Sequence, residues 1–489
     1  MKLSNDTLTQ LPQTIARPGY DRAQITPGIV HIGLGNFHRA HQAWYLHALM
    51  QRGLAMDWGI IGAGVRAADA RMRDRLLAQD CLTTLIELDP TGRSAEVIGP
   101  MIDFLPVEAG NTSLITTMAS PAIRIVSLTV TEGGYYLDPQ QGGLDLKHED
   151  IRHDIAHPGH PRSVFGAIVE ALRRRRSRSL PAFTVQSCDN LQGNGQITRT
   201  AVVTLARQTD PELAAWIDQN AAFPNSMVDC IVPATGPAEV ALARGYGLED
   251  SAPVTHENYR QWVIEDDFCA GRPDWDQVGA IMTDDVHGYE SMKIRVLNAG
   301  HQVLANVGEL LSIPTIADCM GDPLVAAFFR KVQQEEILPY VAAVPDMAPS
   351  DYLSLIEARF SNPEIRDTTR RVAYDGSSRH PGFVLPILRD AVQQAGAIDG
   401  LCLVEALWAR MCTGIREDGS LIPPNDPDWE VRNTHAERAQ HTPEAWLQQS
   451  AIYADLSVEV PFVQRFSHWM QVITAQGCRS ALRTYLGPA

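Results

Sequence analysis

Hydrophobic and polar positions change their rhythm part-way along the chain. In the first half, short apolar runs alternate with helical patterns. Residues 28–33 (GIVHIG) read as a buried strand running into a glycine turn. Residues 58–62 (WGIIG), 122–131 (AIRIVSLTVT), 183–187 (FTVQS) and 226–232 (SMVDCIV) read as further strands. Between them, 39–51, 68–78 and 164–172 repeat apolar positions at helical spacing. Strand–helix alternation of this kind predicts an α/β domain with a parallel sheet covered by helices. After about residue 293 the texture becomes helical, over 294–311, 323–341, 350–360, 384–394 and 401–412. Three prolines within 423–427 mark a loop, because proline continues neither a helix nor a central strand. The change of texture places a boundary within 280–295. It gives an α/β domain over 1–288 and a mostly α-helical domain over 289–489.

Length and charge narrow the function classes. At ~150 residues per domain, 489 residues allow two to four domains. Lys and Arg number 41 against 58 Asp and Glu, a net charge of −17. A field of that sign repels phosphate backbones and anionic lipids, so nucleic acid and membrane surfaces are poor partners. It also biases against an anionic substrate unless a local basic pocket overrides it. No apolar run reaches the ~18 residues of a membrane span, and the polar start of the chain does not read as a signal peptide. The eight cysteines are scattered and form no C-x-x-C, which points to a reducing cytoplasm. The dense basic run Arg173-Arg174-Arg175-Arg176 reads as a solvated helix C-terminus, where cations complement the dipole.

Candidate chemistry gathers in three places. The strand at 28–33 runs into Gly33-Leu34-Gly35 with a helix expected from Phe37 or His38. Gly33 permits the tight turn, and Gly35 lets backbone approach a pyrophosphate that faces the free N–H groups of the helix start. The third glycine of G-x-G-x-x-G is absent, since position 38 is His. Asp69, just past the second strand, suits a ribose 2′-hydroxyl and favours NAD, while Arg66 nearby leaves NADP open. Asp69 would equally serve a helix N-terminus. The second place is YESMKIRVLNAGH, residues 289–301. Hydride transfer without zinc needs a base for the hydroxyl proton, which a lysine with a lowered pKa can supply. It also needs amide donors for the developing alkoxide. On a regular helix Lys293 and Asn298 lie about 140° apart, so they converge only if Lys293 sits at or before the helix start. Asn298 and His301 share a face. The third place is SCDNLQGNG, residues 187–195, which follows a strand at the edge where open α/β sheets bind ligands. Neither H-E-x-x-H nor G-x-S-x-G is present.

These blocks resemble the mannitol dehydrogenase family, polyol-specific long-chain dehydrogenases and related sugar-acid reductases. The resemblance spans nearly the whole chain. It rests on IVHIGLGNFHRAHQA from Ile29, SLTVTEGGYY from Ser127, SCDNLQGNG from Ser187, FPNSMVD from Phe223, QWVIEDDF from Gln261 and K-x-x-x-x-N-x-x-H from Lys293. It implies a Rossmann-type NAD-binding domain followed by a mostly helical substrate-binding and catalytic domain. Lys293 corresponds to the family's catalytic base, and Asn190 and Asn298 to the pair holding the alkoxide. His301 and Asp229 correspond to binders of substrate hydroxyls, and Glu290 to the acid on the lysine's proton path. Gly33, Gly35, Asn36 and Phe37 correspond to the pyrophosphate turn. The implied reaction interconverts an open-chain polyol and its ketose, D-mannitol and D-fructose first. A fructuronate reductase, whose carboxylate substrate would want an arginine clamp such as Arg371 and Arg379, and a D-arabinitol dehydrogenase are the alternatives. A dinucleotide-binding regulator without catalysis is the reading from another class. The family suggests a monomer or small homo-oligomer. Two positions depart from the family pattern: Cys230 stands where Arg is usual and Gln192 where Pro is usual.

Overall fold

The apolar runs of the first half form one parallel sheet in a computed structural model that describes residues 1–138 and 142–488. Its strands are β1 (Pro27–Ile32), β2 (Gly59–Ala63), β3 (Met101–Phe104), β4 (Ile125–Leu128) and β5 (Thr184–Ser187). They lie in the order β3-β2-β1-β4-β5 with every neighbouring pair parallel. The order reverses between β1 and β4, the arrangement of a Rossmann-type sheet. Alternate residues of β1 feed opposite faces, as a pleated strand requires. Val30 and Ile32 pack with Phe165 and Ile168 of the helix Val164–Ser177. Ile29 packs on the other side with Leu46 and Leu49 of the helix Gln42–Met50.

Chain packing separates two compact units, Met1–His287 and Gly288–Ala489. The first also holds strands that the apolar pattern does not announce. Thr83–Asp89 and Gly92–Ile98 form an antiparallel hairpin, flanked by Ile15–Ala16 and Val254–Glu257. Its turn carries Pro90 and Thr91, with Asp89 Oδ1 accepting the Thr91 N–H at 2.8 Å, so a side chain does the work that Asn-Gly does elsewhere. The expected strand 226–232 stops at Asp229, where antiparallel pairing with Gln261–Glu265 ends.

The arginine run does end a helix, but it is not simply solvated. Arg173 and Arg174 both bond the Glu170 carboxylate. Arg175 is buried, 1 % exposed, and donates to the carbonyls of Ile123 and Pro181, each at 2.7 Å. One cation of the four therefore satisfies loop backbone that would otherwise lie buried without donors.

The second unit is helical, and among its described residues three segments are π-helical: Lys293–Asn298, Gln333–Ile337 and His380–Val384. The expected helix 323–341 is broken for this reason. It is α over Pro323–Val332, π over Gln333–Ile337 and 3-10 over Leu338–Tyr340, where Pro339 withholds a backbone donor. Glu336 uses its π position to accept the Gly400 and Leu401 N–H groups at 2.7 and 2.9 Å, which caps the helix Asp399–Met411. A buried chain anchors the third π segment. His380 Nδ1 meets Glu405 Oε1 at 2.6 Å, and Tyr453 Oη donates to Glu405 Oε2 at 2.8 Å. No helix of the described residues is long and apolar enough to cross a membrane.

Several imidazoles of the first unit are buried neutral. Burial holds His31 and His256 down at about 3 from the usual 6.5, and His38 well below it. Between pH 6.5 and about 3 the unfolded chain therefore binds protons that the native chain refuses. This stabilisation is complete above the unfolded value and is lost as pH falls. We expect the urea midpoint to drop between pH 7 and pH 5, and to drop less in His31→Gln. A midpoint that does not move across that interval would contradict the assignment.

Candidate functional site

In the first unit the site begins where β1 delivers the chain into Gly33. That residue has φ +93°, and a Cβ there would sit 2.1 Å from the Thr129 carbonyl oxygen. Only glycine meets both conditions. The turn rests on a buried polar chain. Thr129 Oγ1 donates to the Gly33 carbonyl at 2.7 Å, and His31 joins Thr129 Oγ1 through Nε2 at 2.9 Å and Ser127 Oγ through Nδ1 at 2.8 Å. Because the threonine proton is committed to Gly33, the neutral ring carries its proton on Nε2 and accepts at Nδ1 from Ser127. The His31 ring stacks on His38 with centroids 3.4 Å apart.

The next residues divide the work between backbone and side chain. Gly35 caps the short helix Asn36–Ala40, and a Cβ there would meet only the Gly33 carbonyl oxygen, at 3.9 Å. The space above the turn is open to a ligand. The Asn36 side chain donates to the Pro233 carbonyl at 2.9 Å and to Thr235 Oγ1 at 2.8 Å, and it accepts from Arg39 at 2.8 Å. Its amide ties the turn to the rest of the unit and leaves the backbone to face an anion. Phe37 stacks on His41 at 4.9 Å. Asp69 stands beyond β2, accepts the Arg66 N–H at 3.0 Å, and packs so close to Gly64 that a Cβ there would lie 2.5 Å from its Oδ2. An open glycine cradle, helix-start backbone and an acid past the second strand together fit a dinucleotide.

Most polar residues of the 187–195 block prove to be scaffolding. Asp189 accepts the Val130 and Thr131 N–H groups at 3.0 and 2.8 Å and the Tyr135 hydroxyl at 2.8 Å. Asn194 is fully buried, bonding the Asp189 and Ser226 carbonyls and the Ser226 N–H. Asn225, from the FPNSMVD block, accepts from Gly195 N–H at 2.9 Å at the start of the helix Asn194–Thr209. These bonds hold Asn190 exposed just beyond the carboxyl end of β5. Gln192 is exposed on the same turn, which Leu191 N–H closes onto the Asp189 carbonyl at 2.9 Å. Asp229 ends its strand at 5 % exposed, followed by the buried Cys230.

In the second unit one helical run carries Glu290, Lys293, Asn298 and His301. It is α over His287–Met292, π over Lys293–Asn298 and α over Ala299–Leu310. Lys293 is thus inside the run, which corrects the expectation that it must sit at or before a helix start. The π turn removes the difficulty in another way. Its i→i+5 bonding stacks residues five apart, so Lys293 and Asn298 fall on one face. Lys293 is 8 % exposed and Glu290 4 %. The His301 ring stacks on Phe360 at 4.3 Å, with Nε2 3.7 Å from Asp367 Oδ2. Burial first, then the nearby Arg371, Arg359 and Arg379 cations, pulls His301 down to about 4, with Asp367 opposing them. Asp367 in turn accepts from Arg371 Nε at 2.7 Å, and Arg379 donates to the Val372 carbonyl at 2.7 Å. Asp367 went unnoticed in the sequence. Its one signal is the i,i+4 spacing to Arg371, which any helix surface shows.

Residues 27–277 match the family model for the mannitol dehydrogenase Rossmann domain, and residues 285–474 match that for the mannitol dehydrogenase C-terminal domain. The chain belongs to the mannitol dehydrogenase family. Mannitol 2-dehydrogenase of Cereibacter sphaeroides is 53% identical over 476 residues, covering 97% of this chain and 100% of that one. The Pseudomonas fluorescens mannitol 2-dehydrogenase, solved as a ternary complex with NAD and D-mannitol, is 40% identical with a TM-score of 0.88 over 99% of both chains. A D-sorbitol dehydrogenase solved in substrate-free form is 34% identical with a TM-score of 0.90, over 98% of this chain and 100% of that one. Family membership accounts for the order of the sequence blocks.

The turn gives a direct test. Gly33→Ala forces a Cβ against the Thr129 carbonyl at a φ that L-residues avoid, and it should cost about 2 kcal/mol or more. Urea unfolding measures the loss. An unchanged midpoint would show that the turn is not built as described.

Proposed function

We propose that this chain is an NAD-dependent polyol dehydrogenase that interconverts D-mannitol and D-fructose, with Lys293 as general base and no zinc. The observation that carries the reading is the buried Lys293 opening a π turn that closes on Asn298, with Glu290 one turn before and His301 one turn after. It sets a base, an amide donor and a neutral imidazole along a single helical run.

The chemistry follows from these groups. Uncharged Lys293 Nζ takes the proton from the substrate hydroxyl. The side-chain amide of Asn298 donates a hydrogen bond to that oxygen as negative charge develops, without changing the net charge of the site, and Asn190 is assigned the same chemical role. Acceptance of the hydride from the same carbon is the chemistry that NAD supplies when bound. The backbone over Gly33, Gly35, Asn36 and Phe37 meets its pyrophosphate, and Asp69 its adenosine ribose. Glu290 passes the proton from Lys293 towards solvent. His301, uncharged at neutral pH because its pKa lies at about 4, hydrogen-bonds a further hydroxyl. Asp229, Arg371 and Arg379 hold the others. The alcohol thus loses one proton and one hydride and becomes the ketone.

The arginines favour a polyol over a keto-uronate. Arg371 already shares its charge with Asp367, and Arg379 is committed to a backbone carbonyl. A substrate carboxylate would have to share both cations with these partners, whereas hydroxyls ask only for single hydrogen bonds. Charge does not bear on D-arabinitol, which differs from mannitol by chain length.

Purified protein with mannitol and NAD should produce NADH. Lys293→Ala should lower kcat by about 10²–10⁴-fold at an unchanged melting temperature. Alcohol oxidation releases a proton, so its rate should rise with pH and ketose reduction should fall. Wild-type turnover in Lys293→Ala would overturn the mechanism, and faster reduction of fructuronate than of fructose would overturn the substrate. A separate variant probes the hydroxyl-binding cluster. Asp367→Asn frees Arg371 and removes the charge facing His301. The mannitol KM should rise roughly five- to tenfold, about 1 kcal/mol, with fructuronate reduction improving. Unchanged kinetics for both substrates would remove Asp367 from the site.

A further inference from the structure

The π turn of Lys293–Asn298 is supported from outside its own helix. Gln333 opens the second π segment and is fully buried at 0 % exposed. Its Nε2 donates to the Val296 carbonyl at 2.8 Å, in the middle of the turn. The backbone bonding there is irregular. The Ala299 N–H reaches the carbonyls of Ile294 and Val296, five and three residues back, and passes over the Arg295 carbonyl that an α-helix would use. In an α register the Val296 carbonyl would belong to the Gly300 N–H. A side-chain donor at that carbonyl therefore favours the π arrangement over its α competitor.

Gly300 is what admits that donor. A Cβ on Gly300 would lie 2.5 Å from Gln333 Nε2 and 3.2 Å from a ring carbon of Phe329. Gln333 is in turn fixed from behind, because Glu336 on the same π segment bonds Gly400, Leu401 and the Tyr485 hydroxyl. The two π segments interlock: one supplies an amide and the other the carbonyl that receives it, while Gly300, in the α turn that follows, leaves the gap the amide passes through.

We propose that Gln333 is a positioning residue for the reaction. Its amide, admitted by Gly300, holds the π register of Lys293–Asn298 and so keeps the base and the oxyanion donor on one face. Slipping to the α register would separate them by five steps of roughly 100°, about 140° net. The proposal rests on the reading of Lys293 as the base.

Two variants approach the contact from opposite sides. Gln333→Met keeps the length and removes the donor. Gly300→Ala keeps the donor and closes its gap. In both, kcat for mannitol oxidation should fall about tenfold or more, the NAD KM should hold, and the pH at which kcat rises should shift. The shift is the readout that a purely structural role would not move. Gln302→Leu, which removes another buried amide of the same helix, should lower the melting temperature without that shift. Gly300→Ala keeps the test sharp if Gln333→Met folds poorly, since alanine in a helix interior ordinarily stabilises. A more stable Gly300→Ala with wild-type kcat and pH profile would overturn the proposal. Activity in Lys293→Ala would instead overturn the underlying reading. An inactive Lys293→Ala beside two unperturbed positioning variants would leave the base intact and remove Gln333 alone.

Discussion

Lys293 and Asn298 stand five positions apart, and a regular α-helix cannot point both in one direction. The second unit is organised around that constraint. One residue is absorbed as a π turn, and the cost of the disturbed backbone bonding is met by the Gln333 amide on the Val296 carbonyl. From there the helix returns to the α form, so His301 follows Asn298 at the ordinary spacing of three. Phe360 then holds the His301 ring by stacking, and Asp367 stands 3.7 Å from the ring while accepting from Arg371. A local departure from helical geometry thus fixes where Lys293, Asn298 and His301 stand. π turns are rare and occur often where function demands them.

The first unit meets a different demand with a different device. A phosphate-binding turn needs bare backbone, and bare backbone is floppy. Gly33 and Gly35 supply the bareness. The chain from Ser127 through His31 and Thr129 to the Gly33 carbonyl supplies the stiffness. Asn36 ties the helix start to the Pro233 carbonyl and Arg39 ties it to the Ala252 carbonyl, both far away in sequence. The histidines beneath the turn stay neutral because they are buried, so the support carries no charge that would compete with a bound pyrophosphate.

Net charge and local charge do separate work. The surplus of 17 negative charges acts at a distance and is screened within about 10 Å at ordinary salt. Near His301 the balance is reversed, with three arginines against Asp367. Arg371 shares its charge with Asp367, and Arg379 donates to the Val372 carbonyl. What remains suits hydroxyl groups better than a second carboxylate.

The sequence by itself determined the class of fold, because apolar runs buried on both faces and helices between them admit little else than a wound parallel sheet. It also placed the chain in its family, since the blocks around Gly33, Ser187 and Lys293 keep their order and spacing. It did not announce the hairpin at 83–98, whose strands are half polar and whose turn is braced by an Asp side chain. It could not separate Asn190 from the scaffolding residues Asp189 and Asn194, because all three are polar residues after a strand, and only their partners distinguish them. Nor could it show how Lys293 reaches the face of Asn298. That depends on Gln333 and Gly300, and hydrophobic periodicity carries no record of a side chain 37 residues away in sequence meeting a backbone carbonyl. Local patterning fixes which elements form. The register within them was decided by tertiary contacts, since only a packed neighbour can favour a π turn over the α turn that the local sequence would otherwise adopt.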